Sequence, residues 1–179
     1  MNSSRSVARQ SLIIILIGVL LSPLLSYRTV NNEWILIKVD SIASVQFPGQ
    51  ATFQTMDPVK AYSMRTQDLL LLVMVIDQEN KLEQHPEKDV YSFYLGVMDS
   101  MIRETKSTLI DSASFHIDKY RGMGFSYFGP STNGSNVRRI VRAVLIKNKL
   151  YCWGYTVLGQ ETESSKALSK RFIESFSVK

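Results

Sequence analysis

The sequence predicts an α+β domain, and three observations support this fold class. An eight-residue apolar run, Leu69–Ile76 (LLLLVMVI), is too short for a stable helix and ends in β-branched residues, so it predicts a strand buried on both faces. One long amphipathic pattern, from Pro86 to Lys106, predicts a helix. Four strand-like segments follow this helix. Runs of strands broken by helices, rather than strict alternation, are typical of α+β domains.

Four further strands are predicted upstream of the apolar run, and the last two carry the weaker pattern. Pro48-Gly49 ends the second of them, because proline lacks an amide donor and glycine permits unusual dihedral angles. The predicted strands are Trp34–Val39, Ser44–Phe47, Thr52–Thr55 and Lys60–Thr66.

The long helix has an apolar face because its large side chains recur at steps of three and four residues. Pro86 suits the first helical position, where its missing N–H has no cost, and Arg103 and Lys106 suit the negative end of the helix dipole. The residues that share the predicted buried face are Val90, Tyr94, Val97, Met98, Met101 and Thr105.

The last third of the chain predicts more strands and a second helix. Lys147-Asn148 predicts a tight turn between the last two strands. A helix is predicted over Ser164–Ser175, with Leu168, Phe172 and Phe176 spaced four apart and with Thr162 or Ser164 as its cap. The predicted strands are Ser114–Ile117, Phe125–Phe128, Val137–Ile146 and Lys149–Val157.

The amino terminus has the pattern of a secretory signal. Arg5 and Arg9 precede the apolar segment Leu12–Leu25, which would span only about 21 Å as a helix, against about 30 Å for a bilayer core. We therefore predict a signal peptide at residues 1–26, a linker at 27–33 and one domain at 34–179. Leu24 lies where a smaller residue is preferred before cleavage, so an uncleaved membrane anchor is the alternative. The predicted location is periplasmic or secreted, with membrane contact only through residues 1–26 if they are retained.

The composition excludes several classes of protein. The chain has 179 residues, 45% of them hydrophobic, which excludes a disordered or low-complexity protein. One Cys and two His exclude a disulfide scaffold and a multi-ligand zinc site. The net charge of +5 falls to +3 if Arg5 and Arg9 are removed with the signal, and no lysine-rich tail is present, so we expect no nucleic-acid partner.

Several segments resemble a family of exported proteins. Ser44–Gly49 (SVQFPG) resembles the family's opening FxVxFPG strand, and Tyr120–Phe125 (YRGMGF) its mid-chain strand with glycines. Val141–Val144 with Leu150-Tyr151 is similar to its late hairpin, and Arg171–Phe176 (RFIESF) to its closing FxxSF motif. The chain is thus identified as an exported bacterial member of the PsbP-like group, whose fold is shared with the Mog-type Ran-binding import factor and the DcrB envelope lipoprotein.

The resemblance implies an antiparallel sheet sandwiched by two helices. It also implies a non-enzymatic role in assembly, docking or envelope maintenance. The photosystem and Ran-binding functions carry over to no residue of this chain, and no metal-binding or lipid-attachment pattern is available to transfer. We therefore predict a binding or assembly module that acts on a protein or envelope component, without a cofactor or metal.

The hairpin from Val137 to Lys149 is the most basic stretch of the predicted domain. Alternation along a strand places Arg138 and Arg142 on one face, and Lys147 and Lys149 flank the turn. Such a cluster can bind an acidic protein, a phosphate or anionic lipid heads. The alternative is a solvated face with cross-strand ion pairs.

The strand after this turn carries aromatic residues on one face, namely Tyr151, Trp153 and Tyr155. Aromatic side chains at every second position of a strand line a ligand groove in some proteins. A small-molecule or lipid-binding function is therefore the second hypothesis. The alternative is that these side chains pack under a helix. Cys152 lies on the opposite face, where it is expected to behave as a small buried hydrophobe rather than a reactive thiol.

No motif supports catalysis. His116 and Asp118 share a strand face, but a general base of this kind needs a nucleophile, and an exposed pair is the expected arrangement. His85 with Glu83 and Glu87 marks the start of the long helix rather than a metal site. Nucleotide-binding loops, zinc-protease motifs and calcium loops are absent from the sequence. We therefore predict that the protein is not an enzyme.

Overall fold

The computed structural model of the chain describes residues 33–78 and 87–179. The predicted signal peptide or anchor at 1–26, nearly all of the predicted linker, and His85 lie outside these ranges. The described residues form two helices and ten strands, and the strands pair into two antiparallel sheets. The elements are β1 (Ile35–Lys38), β2 (Ala43–Phe47), β3 (Thr52–Met56), β4 (Val59–Arg65), β5 (Leu69–Asp77), α1 (Glu87–Glu104), β6 (Thr108–Ile117), β7 (Tyr120–Pro130), β8 (Asn136–Ile146), β9 (Lys149–Val157), α2 (Glu163–Glu174) and β10 (Ser177–Val178).

The large sheet has seven strands in the order β3-β4-β5-β9-β8-β7-β6, and the small sheet has the order β1-β2-β10. Helix α1 packs on one face of the large sheet, which we call the α1 face. Helix α2 and the small sheet pack on the other, which we call the α2 face. The predicted α+β class, with an antiparallel sheet between two helices, is confirmed. The small sheet beside α2 is an addition that the sequence did not predict.

Each predicted strand and helix is present, but two strands are longer than their sequence pattern indicates. β6 extends six residues before the predicted Ser114, and its side chains are mostly exposed because it is an edge strand that neither helix covers. β7 begins at Tyr120, before two glycines that lower its strand propensity. β10 was missed because two residues carry no periodicity.

The apolar run in β5 is buried on both faces, as predicted. Its pairing with β4 and β9 leaves no edge exposed. Met74 and Ile76 contribute to the core on the α1 face, whereas Leu71, Val73 and Val75 contribute to the core on the α2 face. The absence of polar alternation in the sequence therefore reflects a strand with no solvent side.

Helix α1 buries the face predicted from its spacing. Tyr94, Val97, Met98 and Met101 are each at most 6% exposed. The hydroxyl of Tyr94 donates to the Arg121 carbonyl oxygen at 2.9 Å and accepts from the Leu145 N–H at 2.7 Å. These two bonds satisfy the polar end of a buried ring, which locates α1 over β7 and β8.

Helix α2 begins with a capping box. The Ser165 N–H donates to the Thr162 hydroxyl at 3.1 Å, and the Thr162 N–H donates to the Ser165 hydroxyl at 2.9 Å. The buried Phe172 ring lies 5.0 Å from the Phe47 ring of β2, centroid to centroid. The predicted cap at Thr162 is thus confirmed, and α2 links the two sheets.

Asp40 joins the β1–β2 turn to the large sheet. Its Oδ1 accepts from the N–H groups of Ile42 at 2.7 Å and Ala43 at 2.9 Å. Its Oδ2 accepts from the Tyr151 hydroxyl at 2.7 Å and from Lys149 Nζ at 3.0 Å. Burial alone raises the pKa of Asp40, but these hydrogen bonds together lower it to about 2.

We expect Asp40→Asn to reduce the free energy of unfolding at neutral pH by about 2 kcal/mol, because the folded state holds the pKa near 2 against an ordinary 3.8. A carboxylate with a depressed pKa stabilises the fold at pH values above its ordinary pKa. This stabilisation is lost as the pH falls through the pKa of the folded state. The difference from wild type should therefore shrink between about pH 4 and pH 2. Urea unfolding across this range measures it, with Asp118→Asn in an exposed turn as control. A difference that is independent of pH would contradict the assignment.

Gly154 in β9 allows a close approach of β8. A Cβ at this position would lie 2.0 Å from the Ile140 carbonyl oxygen and 2.9 Å from the Val141 Cα, both of them backbone atoms that cannot turn away. At Gly159 no heavy atom lies within 4 Å of a Cβ. The two glycines thus form a matched pair for substitution.

We expect Gly154→Ala to lower the free energy of unfolding by about 2–3 kcal/mol, because β8 and β9 must separate. Gly159→Ala should leave it unchanged. Thermal denaturation of both variants checks this, and equal stabilities for the two would contradict the close approach.

Candidate functional site

The four basic residues predicted as a partner surface do not form one cluster. Lys147 lies in the β8–β9 turn, with φ at 54°, nine residues from Arg138. At the rise of a β-strand this corresponds to about 30 Å. The structure therefore separates the turn lysines from the arginine at the opposite end of β8.

Lys149 already has acidic partners. Its Nζ lies 3.0 Å from Asp40 Oδ2 and 3.9 Å from Asp77 Oδ1, and its side chain is largely buried. The positive charge is thus used to connect β9 to the β1–β2 turn. This leaves Lys147 as the exposed cation at this end of the hairpin.

Arg138 and Arg142 lie on the α2 face, beyond the area that α2 covers. Arg138 is paired in register with Phe128 of β7, and Ile140, between the two arginines, is paired with Tyr155 of β9. We call this surface the arginine face. Its residues are Phe128, Arg138, Ile140, Arg142 and Tyr155.

The arginine face combines exposed charge with exposed apolar surface. Arg138 is exposed, and Phe128 beside it is 46% exposed. The Arg142 guanidinium lies 5.1 Å from the centroid of the Phe115 ring, a cation–π distance that holds it in place. In the part of the chain that the structure describes, neither arginine forms an ion pair. Both charges are therefore available to an acidic group.

The three aromatic residues predicted to line a groove have different environments. Trp153 is 1% exposed, stacks on Phe176 at 4.0 Å between centroids and donates from Nε1 to the Ile173 carbonyl oxygen at 3.1 Å. Tyr151 is fully buried against Asp40. Only Tyr155 is half-buried, on the arginine face. Tyr151 and Trp153 therefore pack under α2, which was the alternative interpretation.

Cys152, His116 and Asp118, which the sequence analysis considered for reactive or catalytic roles, lie in different environments. Cys152 is buried in the core under α1, and burial raises the pKa of its thiol to about 12, far from the range of a reactive cysteine. His116 is exposed on β6 opposite Arg121, whereas Asp118 has left the strand for a turn with φ at 51°. Among the described residues, no three His, Cys, Asp or Glu side chains lie close enough to hold a metal.

The sequence interpretation gave Arg139 no functional role. This residue points to the α1 face of β8, opposite Arg138 and Arg142, and is only 7% exposed. Its Nη2 donates to the Pro130 carbonyl oxygen at 2.8 Å, and its guanidinium lies 5.6 Å from the centroid of the Tyr127 ring. Burial lowers the pKa of the guanidinium, which nevertheless stays charged at neutral pH. Strand alternation already places Arg139 on the same face as Val137 and Val141, and the structure adds that it is buried there.

Arg139 lines a pocket on the α1 face, beside the carboxyl-terminal half of α1. The pocket is a partly open depression, and its free space amounts to about 390 Å³ when the solvent above it is included. Its wall is mainly apolar, with Met101 on the helix side and three β5 side chains on the other. The apolar lining residues are Leu70, Leu72, Met74, Met101 and Val141, and the polar ones include Arg139 and Thr156.

No described helix is long and apolar enough to cross a membrane. No protein-family model matches the sequence, and no curated protein matches it. Solved structures, by contrast, do resemble it. The M. tuberculosis protein LpqN, described as involved in cell envelope biogenesis, has a TM-score of 0.47 and 10% identity over 82% of this chain and 90% of its own. A Pseudomonas aeruginosa protein of unknown function has a TM-score of 0.42 and 9% identity over 76% and 88%.

The solution structure of cyanobacterial PsbP from Synechocystis superimposes with a TM-score of 0.56. The alignment covers 88% of this chain and 100% of that chain, at 16% identity. At this identity the likeness concerns the fold and not the residues of a site. The arrangement that the sequence motifs implied is thus confirmed, and the chain has a PsbP-like fold.

Proposed function

We propose that the chain is an exported, non-enzymatic binding module whose arginine face docks an acidic protein partner. The observation that carries the proposal is the pair Arg138 and Arg142, which flank half-buried apolar side chains and have no carboxylate partner among the described residues. Mixed surfaces of this kind, with arginine and aromatic side chains together, are typical of protein interfaces.

The geometry favours a protein over a small anion. Arg138 and Arg142 are four residues apart on one strand, which corresponds to about 13 Å between their Cα atoms, and the Phe115 ring holds the Arg142 guanidinium, so two separate acidic groups suit the pair better than one phosphate. An acidic segment lying along β8 would contact both guanidinium groups and cover Ile140 between them and Phe128 beside Arg138. The partner is therefore expected to present at least two carboxylates with apolar side chains between them.

The turn at Lys147 is not part of this surface, which revises the original set of four basic residues. Lys149 is excluded because Asp40 and Asp77 already bind its ammonium group. Tyr155 is included instead, because its register with Ile140 places it on the arginine face.

A non-enzymatic role is supported by the burial of the one cysteine, which raises the pKa of its thiol to about 12. The proposal of export rests on the sequence pattern of residues 1–26, in which two arginines precede a short apolar segment.

The docking proposal is tested by replacing Phe128 with a photo-crosslinking phenylalanine analogue in the native host. We expect irradiation to attach an acidic protein, identified by mass spectrometry. Arg138→Glu should reduce the product at least tenfold, because an attraction between opposite charges at the interface becomes a repulsion. Arg142→Glu should act in the same direction.

Two controls make this test specific. The same analogue at Phe53, an exposed phenylalanine on β3 at the far edge of the large sheet from β7, should give no such product. Lys147→Glu should leave the product from position 128 unchanged. A product that survives both arginine reversals, or one that consists of lipid, would contradict the docking of an acidic protein.

Export is tested separately with a reporter. Alkaline phosphatase, which is active only after export, is fused after Lys179 of the full chain and is expected to be active. Leu16→Arg interrupts the apolar segment and should abolish the activity, whereas Asn2→Arg should not. Full activity of the Leu16→Arg fusion would show that this segment does not direct export.

A further inference from the structure

The α1 face contains a feature that protein docking does not explain. Arg139 is buried to more than nine-tenths, yet its Nη1 has no hydrogen-bond partner. Buried guanidinium N–H groups are normally paired, because an unpaired one loses its hydration without compensation. This arginine also lines the pocket beside α1.

We propose that this pocket binds a small anionic amphiphile, with its anionic group on Arg139 and its apolar tail along Leu72 and Met74. The two partners that Arg139 already has, the Pro130 carbonyl oxygen and the Tyr127 ring, fix the guanidinium in place and leave Nη1 for the ligand. A carboxylate or a phosphate monoester fits this donor group.

The shape of the pocket favours a short apolar tail. Gly154 contributes no side chain between Leu72 and Val141, with which it is paired on the two neighbouring strands. The depression lies over this gap and is closed on the helix side by Met101.

A purely structural role for Arg139 does not account for these observations together. An arginine kept only to bind the Pro130 carbonyl would not need to line an apolar pocket. Its neighbour Arg138 occupies the exposed face of the same strand without such contacts. The buried charge, its unpaired donor and the apolar wall occur at one place, as an amphiphile requires.

The test uses the full chain with labelled methionine methyl groups, observed by NMR. Octanoate is titrated in, and octyl phosphate in parallel, to distinguish a carboxylate from a phosphate headgroup. We expect saturable shifts of Met74 and Met101, which line the pocket. Met64, on the α2 face, and the exposed Met56 should not move, and they report any unspecific effect.

Charge dependence is tested first without any substitution. Octanamide has the same tail as octanoate but no charge, and we expect its affinity to be at least about tenfold lower. Equal affinities for octanoate and octanamide would overturn the role of Arg139. The absence of saturable shifts with both anionic probes would overturn the site itself.

Two variants then locate the site. Arg139→Gln should lower the affinity for octanoate by about tenfold or more, whereas the matched Arg138→Gln, one residue away on the other face, should not change it. If Arg139→Gln does not fold, Leu72→Phe fills the pocket at a half-buried position and should abolish the shifts. Unchanged octanoate binding by Leu72→Phe would place the ligand elsewhere. Because the arginine face is not involved, these outcomes are independent of the docking proposal.

Discussion

The contacts of Trp153 with Ile173 and Phe176 connect the large sheet to α2 and, through it, to the small sheet. The indole lies in the middle of β9, stacks face to face on Phe176 and donates a hydrogen bond to the Ile173 carbonyl oxygen. Phe115, from the edge strand β6, meets the same indole edge-on at 5.6 Å between centroids. One side chain thus fixes α2 and the edge strand relative to the large sheet, and the small sheet follows because β10 continues directly from α2.

This arrangement determines which surfaces remain uncovered. Since α2 is held over Trp153 and Tyr151, it leaves the part of the α2 face formed by β7 and β8 exposed, and the arginine face lies there. On the other face, Tyr94 holds α1 over the far end of β7 and β8 through its bonds to Arg121 and Leu145. The helix therefore only partly covers β5 and β9, and the pocket forms beside it.

The sequence predicts the elements of this fold well because each depends on local patterns. A few neighbouring residues are enough to recognise strand alternation, helical spacing, the turn at Lys147-Asn148 and the cap at Thr162. The candidate functional surfaces were less predictable. The alternation of side chains along a strand assigns a residue to one face of the sheet, but it gives no distance to residues on other elements. Lys149 appeared free until Asp40, 109 residues away in sequence, proved to be its partner. Arg139 was given no role because a charged side chain is expected to be exposed, and only its spatial neighbours show otherwise.

Gly154 shows how a packing requirement and a binding pocket arise from one residue. The backbones of β8 and β9 approach so closely that any Cβ at this position would meet the Ile140 carbonyl oxygen. The position must therefore lack a side chain, and the α1 face must have a gap between Leu72 and Val141. Larger residues can fill most surface depressions without disturbing a fold, but here the backbone forbids it. The depression beside Arg139 thus follows from the same strand pairing that places Trp153 under α2.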